Sequence, residues 1–317
     1  MAKILINDGI ENSGKLMLEQ AGFDLQMNKV PQDDLINQLN QYDAICVRSA
    51  TQVRKEHIDT APNLKIIARG GVGLDNIDVA YAKSKGIHVI NTPAASSRSV
   101  AELAFAHLFS IGRFLYQANK EMPLKGHTSF NDLKKSYAKG IELEGKTLGL
   151  IGMGRIGQEA AKIAIGLGMK VLAYDPYVES INIKIGSDQF NTIATIERSD
   201  FNSLLSESDF ITIHVPGLDK ALLSKEEFTK MKSGVILINC SRGGVVDEIA
   251  MLEALNNGTI AAAGIDVFEN EPNPRIEILS HPRVSLSPHI GASTAEAQEK
   301  VGGELASQII GLLKEKV

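Results

Sequence analysis

The run KTLGLIGMGRIGQEAAKIAIGLGMKVLAYDP, Lys146–Pro176, constrains the fold more than any other part of the chain. It begins with a short, uniformly apolar segment, Thr147–Ile151, which ends in Gly152-x-Gly154-x-x-Gly157. A helical pattern from Arg155 to Leu167 comes next, and then a second β-rich run, Val171–Tyr174, closing on Asp175. Strand, tight turn, helix and strand make a βαβ unit, and the returning helix requires the two strands to be parallel. The glycine spacing alone is weak evidence. With a strand before it, a helix after it and an acid at the next strand end, it predicts a dinucleotide site. Gly152 makes the turn, Gly154 lets backbone approach a diphosphate, and Gly157 lets helix and strand pack closely. The helix start offers unpaired N–H groups to phosphate. Asp175 can accept hydrogen bonds from the adenosine ribose hydroxyls and would repel a 2′-phosphate, so NAD rather than NADP is expected.

The same alternation runs through the rest of the chain. Ala2–Ile6, Ala44–Val47, Leu64–Ala68, Val89–Ile90, Phe210–Val215, Val235–Asn239, Ala261–Val267 and Val284–Ser287 read as further strands. Their near-continuous apolar character is that of strands buried on both faces of a parallel sheet, so the class is α/β with doubly wound sheets. At 317 residues two domains are expected. Ser96–Met122 reads as one long helix, followed by a polar stretch, Pro123–Glu144. The last helix, about Ser293–Lys316, comes after the final strand and can return to the first third of the chain. The expected layout is a Rossmann domain, 98–291, inserted into a smaller flavodoxin-like domain made of 1–97 and 292–317.

Net charge is −5 without a Lys/Arg block, which disfavours nucleic acid and anionic membranes as partners. No apolar run is long enough to span a bilayer, and MAKILINDG lacks a signal-peptide core, so a cytoplasmic chain is expected. Cys46 and Cys240 both lie in apolar runs and read as core thiols. HExxH and CxxC spacings are absent, as is a GxSxG elbow, so neither a catalytic metal nor a serine nucleophile is expected.

Three segments after the nucleotide fingerprint bring charged groups to strand ends, where ligands bind in open parallel sheets. Arg242 follows Val235–Asn239, Glu271 follows Ala261–Val267, and His289 follows Val284–Ser287. An Arg, an acid and a His on neighbouring strand ends suit the reduction of a 2-oxo acid. Arg242 can hold a carboxylate or polarise a carbonyl. His289 can donate a proton as hydride arrives, and Glu271 beside the ring would stabilise imidazolium. Asp266 is a rival acid, but its place in the strand pattern suits cofactor contact better. A second glycine cluster, Arg69-Gly70-Gly71-Val72-Gly73, has Asn76 at its third glycine position and no acidic strand end placed after it. It is not a second dinucleotide site, although its successive N–H groups could form a carboxylate nest. His57, His88, His107, His127 and His281 read as surface or satisfied core residues.

The segments VLAYDP, HVPGLDK, LINCSRGGVVDE, GIDVFENEP and SPHIGAST resemble, in order, the motifs of the D-2-hydroxyacid dehydrogenases. VRSAT at Val47–Thr51, ARGGVGLDNID at Ala68–Asp78 and NTPAASSRSVAEL at Asn91–Leu103 make the chain most similar to the branch that oxidises D-3-phosphoglycerate at the start of serine synthesis. The resemblance implies that Arg242, Glu271 and His289 are the catalytic triad. It implies that Arg155, Ile156, His214, Pro216, Asp266 and Gly291 join Gly152, Gly154, Gly157 and Asp175 at the cofactor. It further implies that the loop Gly70, Gly71, Val72, Gly73 meets the substrate carboxylate, that Arg48 and Arg69 meet a phosphate, and that the Ser96–Met122 region forms a homodimer. The sequence ends at Val317, so the likeness is to a short form without a regulatory domain. Two alternatives stay open: a reductase of glyoxylate, hydroxypyruvate or another 2-oxo acid, and an NAD-sensing corepressor without enzymatic activity.

Overall fold

The computed structural model describes residues 1–186 and 191–314. The chain forms two compact units, Met1–Ser99 with Ala292–Val317, and Val100–Gly291.

The first unit holds a five-stranded parallel sheet. Its strands are β1 (Lys3–Ile6), β2 (Asp24–Gln26), β3 (Ala44–Val47), β4 (Ile66–Arg69) and β5 (His88–Asn91), in the order β2-β1-β3-β4-β5. That order is the flavodoxin-like one. Side chains alternate between two buried layers: Leu5, Ile45 and Ile67 face one core, while Ile4, Ile6, Cys46 and Ile66 face the other. The second layer is completed by Leu305, Ala306 and Ile309 of the helix Ala295–Lys314, so the chain's last helix packs on its first sheet. β2, a short edge strand with mostly exposed side chains, carries no apolar signal and lies outside the strands expected from sequence.

The second unit holds six parallel strands: β6 (Thr147–Ile151), β7 (Lys170–Tyr174), β10 (Phe210–Ile213), β11 (Val235–Asn239), β12 (Ile260–Ile265) and β13 (Val284–Leu286). An antiparallel hairpin of β8 (Ser180–Gly186) and β9 (Asn191–Glu197) interrupts the series. The sheet order is β13-β12-β11-β10-β6-β7. Strand order reverses between β6 and β10, which makes a crevice at the carboxyl ends of these strands the expected ligand position. The hairpin, also outside the expected strands, buries Ile181, Ile183 and Ile196 and touches the parallel sheet through a bridge, Ala173 to Arg198.

The long helix expected over Ser96–Met122 is broken in two. The first helix, Ser97–Gly112, ends where the Gly112 carbonyl accepts a hydrogen bond from Ile141 N–H at 2.8 Å rather than from the next helical turn. Phe114 then takes the left-handed conformation, φ 58°, and a second helix runs over Leu115–Lys125. The polar stretch beyond it also contains a helix, Phe130–Ser136. No helix among the described residues is long and apolar enough to cross a membrane.

Candidate active site

The nucleotide fingerprint lies between β6 and the helix Arg155–Gly166. Gly152 has φ +99°, and a side chain there would meet the His214 carbonyl oxygen at 2.4 Å. A Cβ on Gly157 would lie 2.0 Å from the Gly152 carbonyl oxygen, so only glycine lets the helix sit this close to the turn. Around Gly154, by contrast, nothing lies within 4 Å of a Cβ position. Two positions thus lack side chains because the fold needs the space, and the third keeps open space at a helix N-terminus. That is the arrangement a pyrophosphate requires, and the residues present fit a dinucleotide.

Asp175, just past β7, accepts hydrogen bonds from Met153 N–H and Tyr177 N–H, each at 2.9 Å. It therefore braces the glycine turn. His214 comes directly after β10; its N–H donates to Ile151 O at 2.7 Å, and its ring Nε2 is 3.0 Å from Thr212 Oγ1. Its Nδ1 is buried without a hydrogen-bond partner, and burial holds the imidazole pKa down at about 4. Arg155 is exposed and Ile156 half-buried in the first turn of the helix, while Pro216 is exposed beyond β10.

The three chemical residues stand on the loops after β11, β12 and β13. Asn239 shapes the first loop: its side-chain oxygen accepts from Ser241 N–H and Oγ–H, and its amide donates to the Arg242 carbonyl at 3.1 Å. The Arg242 guanidinium donates to Ser241 O at 2.7 Å. Gly243 presses against the second loop, where a Cβ would lie 1.9 Å from the Phe268 carbonyl oxygen. This close approach joins the Arg242 loop to the segment that carries Glu271.

Glu271 is held at both oxygens. Oε1 accepts from Phe268 N–H at 2.9 Å, and Oε2 lies 2.7 Å from His289 Nδ1. A carboxylate can only accept, so the proton between them sits on Nδ1 and Nε2 is the nitrogen left to exchange a proton with a ligand. The Glu271 segment is further tied by a reciprocal pair in which Glu248 N–H donates to Glu269 and Glu269 N–H to Glu248, with Arg275 3.4 and 3.6 Å from the two carboxylates. His289 has φ +54°, a left-handed conformation that is unfavourable for a residue with a Cβ. Asp266 holds that loop: its carboxylate accepts from Ser287 Oγ–H, Ile290 N–H and Gly291 N–H at 2.6, 2.9 and 2.9 Å.

In the first unit, Arg48 and Arg69 stand at the ends of the adjacent strands β3 and β4, next to Gly70–Gly73. Gly70 N–H donates to Val47 O, and Gly71 N–H to Thr92 Oγ1 at 2.8 Å, which leaves Val72 and Gly73 to supply the expected nest. Gly71 has φ +140°, with the Arg69 guanidinium lying across it. Arg48 pairs with Glu11 at 3.2 Å and also donates to Gln298. The roles of Asn239, Thr92 and the Glu248–Glu269 pair are not visible in the sequence, because each depends on which loop becomes its neighbour. Among the described residues no cluster of metal-ligating side chains occurs.

Residues 105–291 match the family described as D-isomer specific 2-hydroxyacid dehydrogenase, NAD binding domain. The chain belongs to this family. It is 42% identical over 313 residues to a hydroxypyruvate reductase of Thermotoga maritima, with 97% of each chain covered. It is 39% identical over 321 residues to a D-3-phosphoglycerate dehydrogenase of Methanocaldococcus jannaschii, matching 99% of this chain and 58% of that protein's length. Among solved structures, the apo D-lactate dehydrogenase of Escherichia coli superposes with a TM-score of 0.77 at 28% identity, covering 99% of this chain and 97% of the other. The family assignment makes the second unit an NAD-binding domain and the chain an NAD-dependent D-2-hydroxyacid dehydrogenase.

Proposed function

We propose that this dehydrogenase oxidises D-3-phosphoglycerate to 3-phosphohydroxypyruvate and catalyses the reverse reduction, the entry reaction of serine synthesis. NAD, when bound, exchanges a hydride with C2 of the substrate. In reduction His289 donates the Nε2 proton to the carbonyl oxygen, and in oxidation it takes the hydroxyl proton back. Glu271 fixes the ring tautomer through Nδ1 and stabilises the imidazolium form. Arg242 clamps the carboxylate and polarises the reacting carbonyl. Gly152, Gly154, Arg155, Ile156, Gly157, Asp175, His214, Pro216, Asp266 and Gly291 hold the cofactor. The Ser96–Met122 region, with Phe109 and Leu115 exposed, pairs two chains into a homodimer; a sedimentation mass near 34.2 kDa would contradict that.

The observation that carries the phosphorylated substrate is the pair of guanidinium groups, Arg48 and Arg69, at adjacent strand ends beside Gly70–Gly73. A dianionic phosphate needs more than one cation, and arginine forks match its oxygens. One observation favours a second reading: Glu11, 3.2 Å from Arg48, already offsets part of that charge. Together with the likeness to a hydroxypyruvate reductase, it supports reduction of an unphosphorylated 2-oxo acid.

NADH oxidation by 3-phosphohydroxypyruvate and by hydroxypyruvate at equal concentration separates the readings. The first predicts a preference for the phosphorylated compound of at least about tenfold in kcat/KM, or ~1.4 kcal/mol, which Arg48→Ala erases. Equal or reversed preference assigns the chain to the unphosphorylated branch.

A further inference from the structure

His107 reads in the sequence as an ordinary core histidine. In the structure it is 4% exposed, on the helix Ser97–Gly112, and packs directly over Gly264 of β12, where a Cβ would meet its own Cβ at 2.6 Å. Both ring nitrogens are engaged: Nδ1 is 2.9 Å from Ser285 Oγ, and Nε2 is 2.8 Å from Ser287 Oγ. Ser287 in turn lies 2.6 Å from Asp266, the carboxylate that also holds the Ile290 and Gly291 amides. His289 N–H donates to the Asp266 carbonyl at 2.8 Å.

Counting protons along this series of contacts gives it one direction. The Asp266 carboxylate has three donors and offers none, so the Ser287 hydroxyl proton points to Asp266. Ser287 must then accept from His107, which places the ring proton on Nε2. The bare Nδ1 accepts from the Ser285 hydroxyl. Only a neutral imidazole satisfies both serines in this way, and burial lowers the His107 pKa in keeping with it, although the charge of Asp266 works in the opposite sense. The series ends at the backbone of His289, which with Phe114 is one of two residues other than glycine, among those described, to have positive φ.

We propose that His107 is a positioning residue for the dehydrogenase reaction. Through Ser287 and Asp266 it locks the loop that holds His289 in its left-handed conformation and so keeps Nδ1 against Glu271. Without the donor at Nε2, the Ser287 hydroxyl loses its fixed orientation toward Asp266. The carboxylate can then turn away from the Ile290 and Gly291 amides, and the His289 ring shifts. Misplacement of a catalytic group by 1 Å costs up to about a hundredfold in rate. The inference rests on His289 being the acid–base group of the proposed function.

The test uses the full-length chain with three substitutions, His107→Leu, His107→Gln and His289→Gln. Glutamine can place an amide donor near the position of Nε2, whereas leucine fills the space without one. The expected result is a fall in kcat of about tenfold or more for His107→Leu, with the alkaline limb of the reduction rate displaced. His107→Gln recovers most of the loss. Nitrogen-15 spectra of the chain without cofactor should show the His107 proton on Nε2. An Nδ1–H tautomer overturns the inference. So does His107→Leu with wild-type kcat and pH profile, or Leu and Gln variants that lose activity equally and in step with thermal stability. If His289→Gln is inactive while His107→Leu is unaffected, the relay alone has failed. If His289→Gln keeps full activity, the acid–base assignment itself has failed and takes the relay's purpose with it.

Discussion

Two glycine-rich loops come after parallel strands in this chain, and only one of them opens a helix. Gly152–Gly157 leads from β6 directly into the helix Arg155–Gly166. Gly70–Gly73 leads from β4 into a turn, with the next helix beginning only at Val79. The first loop can therefore present aligned N–H groups and a helix dipole to an extended diphosphate. The second has two of its amides tied to Val47 and Thr92, and it depends on a side chain, Arg69, for positive charge. Similar composition thus produces two kinds of loop. The difference lies in the element that succeeds the glycines, helix or turn, and in whether the missing side chains make room for the fold or for a ligand.

The sharpest way to break this comparison is Gly157→Ala. Its methyl group would meet backbone rather than a movable side chain, so NADH affinity should fall more than about a hundredfold, ~2.7 kcal/mol, along with a lower thermal midpoint. Gly154→Ala, with open space around it, should weaken NADH without the thermal loss. Fluorescence titration and thermal melts together decide, and wild-type NADH binding by Gly157→Ala would refute the account of the turn.

A smaller effect is expected from His214, which backs Gly152; Thr92, at the corresponding place behind the other loop, does not titrate. The folded pKa of His214 is lowered to about 4, below the ordinary value of 6.5, so the unfolded chain takes up this proton first as pH falls. Its contribution to stability is intact above pH 6.5 and is lost progressively down to about pH 4, with on the order of 1 kcal/mol gone at pH 5.5. Urea unfolding of wild type and His214→Gln between those limits should show a steeper slope in wild type, the remainder coming from other groups such as His107. Equal slopes would remove His214 as its source.

The smallest effect expected is from Gly71→Ala, which strains a φ of +140° and displaces the Arg69 guanidinium. KM for the 2-oxo acid should rise about fivefold, ~1 kcal/mol, while the Kd of NADH stays constant. A parallel loss of NADH affinity would show that the two loops do not have separate tasks.

The parallel sheets are readable from the sequence because strands buried on both faces are uniformly apolar, and β6, β10 and β11 show this at nearly every position. The hairpin of β8 and β9 and the edge strand β2 are not, because their half-exposed or polar residues carry no such run. The break at Phe114 is hidden for another reason. It depends on the Gly112 carbonyl meeting Ile141, a residue remote in sequence.

By itself the sequence determined the nucleotide fingerprint, the strand-end positions of Arg242, Glu271 and His289, and the family. Each of these is a local pattern of residue types at short spacing. Tertiary structure alone decided that Glu271 meets His289 at 2.7 Å, that Asp266 gathers the His289 loop, and that His107 lies behind both. Those contacts join side chains from different strands and helices, and a hydrogen bond between distant segments leaves no periodic trace in either of them.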